Sequence, residues 1–394
     1  MAKHGQFVNG ILRQRMALRH LIVRVVWGMA SCMLFPLWAV GQTADPPAAS
    51  PLFEGARERL GEPSRIRWTE PGSNTLDRWT PRRIVEIEGV ISEWEPSKLV
   101  LVQRQSNAVT TFPGDNVVGL EPGWRLEAFA EVHQLYAAGK FSEVLQQGQA
   151  ALKLSGVPRW QQRLLVAEMV QSACAMGQRA VAGRVFGYLA KDSPPDLLLA
   201  TIPLPWADEA LDAGNTIAVE AAKWMEEESD AMKLLGASWS LSGPLRPRAL
   251  EILQTLTKSE SPVLAGYAKA QLWRIVPPDA IRSGEIPKWI ELRDTLPLPS
   301  QAGPTVLLGM RLEQAGEKEM AIAEWLRVAT LHPDRLHLHR MAIERAKSAG
   351  ATLPLPELTS RIERGFPEPI SVGPASPKPN NRGSASSPDV KSPR

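Results

Sequence analysis

GEKEMAIAEWLRVATLHP, residues 316–333, decides how most of this chain is read. Counting from Gly316, the residues Ala321, Trp325, Val328 and Pro333 fall at steps of 5, 4, 3 and 5. An α-helix turns once in about 3.6 residues, so Ala321, Trp325 and Val328 share one face. Gly316 supplies a left-handed stop for a preceding helix, Ala321 lets that helix approach closely, and Pro333 ends the second one. The spacing predicts a helix hairpin.

The same steps recur upstream. GQRAVAGRVFGYLAKDSP, residues 177–194, places Gly177, Ala182, Phe186, Leu189 and Pro194 in the same pattern. Gly139, Val144, Gly148, Ala151 and Gly156 keep the spacing with glycines at two anchor positions. Ala249, Leu253, Leu256 and Pro262 follow one residue out of step at each end, counted from Gly243, and Ala218, Ala222 and Met225 make a fainter copy. With Val144, Ala182, Ala218, Ala249, Ile286 and Ala321 taken as equivalent, the separations are 38, 36, 31, 37 and 35 residues. That period lies near the 34 residues of tetratricopeptide repeats, and residues 123–350 resemble that family. The units at 163–195 and 302–334 carry most of the resemblance; those near 200–230 and 265–300 are interrupted by Pro203, Pro205, Pro277, Pro278 and Pro287.

The resemblance implies a stack with one continuous core and a concave groove, lined by the first helix of each pair, that holds a peptide or another protein. Projected onto this chain, the groove positions are Phe129, His133 and Tyr136 in the first unit, Gln171 with Cys174 in the second, and Met310 with Glu313 in the last well-formed one. A structural alternative for Phe129 and Tyr136 is that they cap the repeats against whatever precedes them.

What precedes them is predicted to be a small all-β module, residues 64–122. RIVEIEGVI (83–91), KLVLVQ (98–103) and AVTTF (108–112) are short, β-branched and bounded by turn residues. So few strands must close or be covered, and the expectation is a small barrel resembling the Src-homology or Sm-like type. Trp68, Trp79 and Trp94 are either an aromatic ligand face or plugs of the barrel interior.

Residues 1–41 read as a secretory signal peptide. Arg13, Arg15, Arg19 and Arg24 precede the apolar run 25–40, which is short of a membrane span at about 24 Å as a helix. Ala39 and Gly41 set small residues before a cleavage expected after Gly41. An uncleaved N-terminal anchor is the alternative. Residues 42–63 read as a linker, 351–366 as a terminal helix or linker, and 367–394, with little apolar content, as a disordered Pro/Ser-rich tail.

Of the 394 residues, 45 are basic and 42 acidic, but residues 1–41 hold five of the basic ones and no acid. The span 42–368 carries 36 basic and 41 acidic residues, which argues against a broad nucleic-acid-binding face. Two cysteines, Cys32 and Cys174, exclude a disulfide framework. His332, His337 and His339 lack ligand spacing, since residues two apart on a helix point about 200° apart. No nucleophile elbow, phosphate loop or dinucleotide fingerprint is present, so neither catalytic residues, metal nor cofactor are expected.

The expected protein is therefore mainly α: a tetratricopeptide-like α-hairpin solenoid after a small barrel-like β module and before a disordered tail. Its expected role is an exported scaffold that presents a groove to a protein or peptide partner in the cell envelope. The alternatives are an envelope-polymer binder that uses the tryptophan-bearing module and, third, an extracellular hydrolase.

Overall fold

The computed structural model describes residues 51–70, 84–103, 108–207, 215–281 and 284–351. The expected signal segment with its cleavage after Gly41, Trp79, the 352–366 part of the terminal segment and the 367–394 tail lie outside them. All described residues belong to one compact unit beginning at Ala49.

The first described element is a helix, α1 (Pro51–Leu60), within the stretch expected as a linker, whose residues 42–50 lie outside the described residues. Five strands follow: β1 (Ser64–Thr69), β2 (Ile84–Glu95), β3 (Lys98–Gln103), β4 (Val109–Phe112) and β5 (Val117–Glu121). They form one antiparallel sheet in the order β4-β3-β2-β1-β5, so the last strand returns to pair with the first. The expected closed barrel is corrected here: the sheet is open. Its faces are covered instead. Phe53 and Ala56 of α1 pack on Val90 and Val102, while Ile66, Ile91, Trp94, Leu99, Leu101 and Val117 join the core of the helical region. A register shift in β2 between Ile91 and Glu93 turns the strand, as a bulge does.

The helical region is an array of packed hairpins. The pairs are α2 (Glu127–Ala137) with α3 (Phe141–Ala151), α4 (Arg159–Ala175) with α5 (Arg179–Ala190), α8 (Asp230–Ser240) with α9 (Arg246–Leu256), and α13 (Ala302–Gln314) with α14 (Lys318–Leu331). Between them lie α6 (Asp196–Leu199), α7 (Asn215–Trp224), α10 (Pro262–Leu272), α11 (Pro278–Ile281) and α12 (Glu285–Thr295), and α15 (Leu336–Ser348) closes the described chain. Gly139, Gly177, Gly316 and Gly350 all have φ between 71° and 85°. At each, the following N–H reaches back to a carbonyl five residues earlier: Lys140 to Leu135, Gln178 to Ala173, Glu317 to Leu312, Ala351 to Ala346. That is the glycine-capped helix stop that the spacing predicts.

The anchor positions behave as their spacing requires in four units. Val144, Gly148 and Ala151 are buried, as are Ala182, Phe186 and Leu189, Ala249, Leu253 and Leu256, and Ala321, Trp325 and Val328. The fainter copy is displaced. Ala218 is exposed and Ala222 half-buried, and only Met225 of the three is buried, whereas Ile217, Ala221 and Trp224 form a buried stripe with the same steps one residue earlier. Ile286 is half-buried, and Trp289 and Arg293 are the buried residues of its helix.

The sheet and the hairpins share polar pins. Gln161 has no exposed surface; its Nε2 donates to the carbonyls of Leu60 at 3.2 Å and Gly123 at 3.0 Å, and its Oε1 accepts from the Arg125 N–H at 3.1 Å. One amide thus fixes the end of α1 and the exit from β5 to the start of α4. Trp160 Nε1 donates to the Ile91 carbonyl, and Arg163 forms a 2.7 Å ion pair with Glu95.

Candidate functional site: an inner cleft beside a filled groove

The first helices of three hairpins, α4, α8 and α13, are buried on most of their surface, which demands a cover beyond their partner helices. Residues 201–207, TIPLPWA, supply it: all seven are buried and none is helical. They stand where the first helix of a third hairpin is expected. Prolines suit such a path, because each removes a backbone donor that burial would otherwise leave to be satisfied. The acceptors are met by side chains. The Pro203 carbonyl accepts from Trp239 Nε1 at 2.9 Å, and the Pro205 carbonyl from Gln271 Nε2 at 3.5 Å. The Trp206 indole meets Tyr267 edge-on, with centroids 5.2 Å apart. Beside Cys174, Pro203, Trp206 and His337 a space of about 10 Å³ remains, room for one water.

The last helix closes the same side. α15 packs on α4, Tyr136 donates to the Asp334 carbonyl at 3.3 Å, and Arg335 donates to the Leu197 carbonyl at 2.9 Å. The face that bears His133 and Tyr136 is therefore covered by the chain itself. His133 Nδ1 lies 2.6 Å from Glu168 Oε1. Burial alone would lower the His133 pKa, but the charge and hydrogen bond of Glu168 outweigh it and hold the value above the ordinary one. Burial, then the Glu168 charge, pushes the Tyr136 phenol well up, so it stays protonated.

The other expected groove residues are dispersed. Phe129 has no exposed surface and packs against Trp124 at 5.7 Å, in a cluster with Val132, Val144 and Leu165 inside the helical region. Gln171 is half-buried, and Glu313 is exposed and paired with Arg345 at 3.6 Å. Met310 is buried, yet it lines an open cleft.

That cleft measures about 440 Å³, and Ala207 of the extended segment lines it. Leu241, Ile275, Val276, Leu307 and Met310 give it an apolar wall, and Pro277 with Pro278 bound it where the sequence breaks its period. Arg274 and Arg311 line it too. Arg274 donates to the Ser238 carbonyl at 2.8 Å and to Gln271 Oε1 at 3.0 Å, and Arg311 to Gln314 Oε1 and the Val276 carbonyl. Ser242, Arg246 and Gln314 stand exposed at its rim. Of these residues the sequence pattern marks Met310 as a groove position and Pro277 and Pro278 as breaks in the period.

No match to this chain exists among protein-family models, curated proteins or solved structures.

Trp94 is buried in the sheet core with Nε1 donating to the Gly114 carbonyl at 3.3 Å, and half-buried Trp68 lies 4.7 Å from Phe112, so both act as packing residues. Burial pushes His332 down to about 4 and His337 down to about 3, which keeps both imidazoles neutral near pH 7. Among the described residues no three His, Cys, Asp or Glu side chains gather in a way that would hold a metal ion.

Proposed function

We propose that this chain is an exported, non-catalytic scaffold of tetratricopeptide-like hairpins, and that its inner cleft receives a segment of a protein or peptide partner in the cell envelope. The observation that carries the reading is the cleft itself. It lies among Leu241, Ser242 and Arg246, the turn at 274–278 and the α13 residues Leu307, Met310, Arg311 and Gln314, and its volume of about 440 Å³ falls in the range of roughly 300–1,000 Å³ usual for ligand sites. Its wall joins the apolar Leu241, Ile275, Val276, Leu307 and Met310 with the polar Ser242, Arg246, Arg274, Arg311 and Gln314, so it can meet both apolar and hydrogen-bonding groups of a peptide. The export part of the reading rests on the basic-then-apolar pattern of residues 1–41 and the small residues before Gln42.

The sheet is pinned to α4 through Gln161, so a truncated bait that lacks it would test folding rather than binding. Point substitutions at exposed rim positions avoid that. Affinity capture from the envelope fraction with residues 42–394 is expected to recover one protein near stoichiometry. Ser242→Trp and Gln314→Trp, which fill the cleft from its rim, are expected to abolish that recovery, while Tyr188→Ala on an exposed outer helix leaves it unchanged. Recovery that survives both cleft-filling variants would reject the cleft as the docking site.

A further inference from the structure

A short motif stands three times in the sequence: TIPLP at 201–205, TLPLP at 295–299 and TLPLP at 352–356. The first two copies lie within the described residues, and they behave alike. Thr201 Oγ1 donates to the Leu198 carbonyl and Thr295 Oγ1 to the Leu292 carbonyl, each at 2.6 Å, at the end of a helix. The next side chain, Ile202 or Leu296, is buried in the core of the helical array, and a Cβ on Gly266 would lie 2.4 Å from Leu296 Cδ2. The prolines remove backbone donors, and a glutamine amide satisfies a carbonyl of each copy: Gln271 Nε2 donates to Pro205 at 3.5 Å, Gln301 Nε2 to Leu296 at 2.9 Å. With this motif the chain lays non-helical backbone against its own helices.

The third copy follows directly on the last described residue, Ala351. α15 packs beside α13, and Arg345 in the last turn of α15 pairs with Glu313 in the last turn of α13 at 3.6 Å. Gly350 then stops the helix, and half-buried Ala351 packs on the core. The chain thus leaves the described fold near Gln314, on the rim of the cleft, and continues as TLPLPEL, residues 352–358, which lie outside the described residues. The cleft wall on α13 from Gln314 to Leu307 is about 10 Å long, and seven extended residues span up to about 25 Å. Charge matches as well. Among the described residues the cleft lining holds Arg246, Arg274 and Arg311 and no acid, whereas the one charged residue of 352–358 is Glu357.

We infer that residues 352–358 occupy the cleft of the free protein, with Leu353 and Leu355 on its apolar wall and Glu357 toward the arginines, and that a partner takes the site by displacing them. The displacement rests on the reading of the cleft as a docking site. A tethered segment acts at an effective concentration of about millimolar, so modest contacts fill the cleft and a tighter partner still enters it.

Photocrosslinking of the purified chain 42–394, with a benzophenone side chain at Gln314 and no partner present, tests the inference. The expected product is an intramolecular adduct, monomeric on denaturing electrophoresis, that maps by mass spectrometry to 352–358. Leu353→Asp combined with Leu355→Asp falls outside the described fold and should lower that adduct at least about tenfold, the effect of exposing one leucine side chain. An adduct that persists in this variant reports only the nearness of the chain end and overturns the inference. A covalent dimer, which makes a second copy the occupant, or the absence of any adduct in 352–358 overturns it too. Capture from the envelope fraction is read separately, and its failure with the intramolecular adduct retained would strike the partner reading alone.

Discussion

Replacing Gln161 by leucine keeps the volume and removes the amide that joins three backbone segments. The Gly123 carbonyl loses its buried partner outright, and the Leu60 carbonyl and Arg125 N–H, both partly buried, lose theirs. A stranded buried group costs about 1–3 kcal/mol, and a partly hydrated one nearer the low end, so the sum is roughly 3–5 kcal/mol. With a urea m-value of ~2.5 kcal/mol per molar, the unfolding midpoint should fall by roughly 1–2 M. Equilibrium urea unfolding, followed by tryptophan fluorescence and far-UV circular dichroism together, measures this. The unmodified chain should unfold with both probes coincident, because the sheet and the hairpins share one core. A midpoint shift below about 0.3 M, or an early separate transition of the sheet in the unmodified chain, would refute the claim that the two parts are one cooperative body.

Three further outcomes follow from the same geometry. Gly177→Ala should cost about 1 kcal/mol in chemical denaturation, all of it backbone strain, since φ is 71° and no atom lies within 4 Å of an added Cβ. Trp206→Ala should cost about 3–5 kcal/mol and shift the melting temperature down, since the indole fills the inner side against Tyr267. Because Glu168 holds the His133 pKa above its ordinary value, that pair should stabilise the fold fully below about pH 6.5 and lose the contribution as pH rises through the folded value. Melting temperatures of His133→Gln against the unmodified chain from pH 5 to 8 should converge toward the alkaline end; a gap that stays constant would remove the ion pair from the account.

What the sequence discloses and what it hides divide along a physical line. Gly139, Gly177 and Gly316 are readable because a left-handed helix stop has a strong residue preference, and Ala321, Trp325 and Val328 because a buried face repeats with the helix turn. The periodic signal weakens at Ala218, where Ile217 and Ala221 offer a competing stripe one residue away, and burial follows the bulkier residues. Pro203 and Pro205 announce that a helix ends; nothing in them announces that the chain then runs through the interior, because Trp239 and Gln271, which satisfy its carbonyls, come from distant hairpins. Gln161 and Glu168 are polar residues on buried helices for the same reason: their partners are set by the tertiary fold. Met310 lines the cleft at its repeat position, Phe129 packs into the core with Trp124 and Leu165, and part of the cleft wall lies at the aperiodic break around Pro277.

The central claim, that the cleft is where a partner is held, is tested most directly by site-specific photocrosslinking in the living cell. A benzophenone side chain placed at Gln314, on the rim, is compared with one at Tyr188, on the outer face of α5. The account predicts one discrete crosslinked protein from position 314 and none of it from position 188. The same adduct from both positions, or from 188 alone, would contradict it.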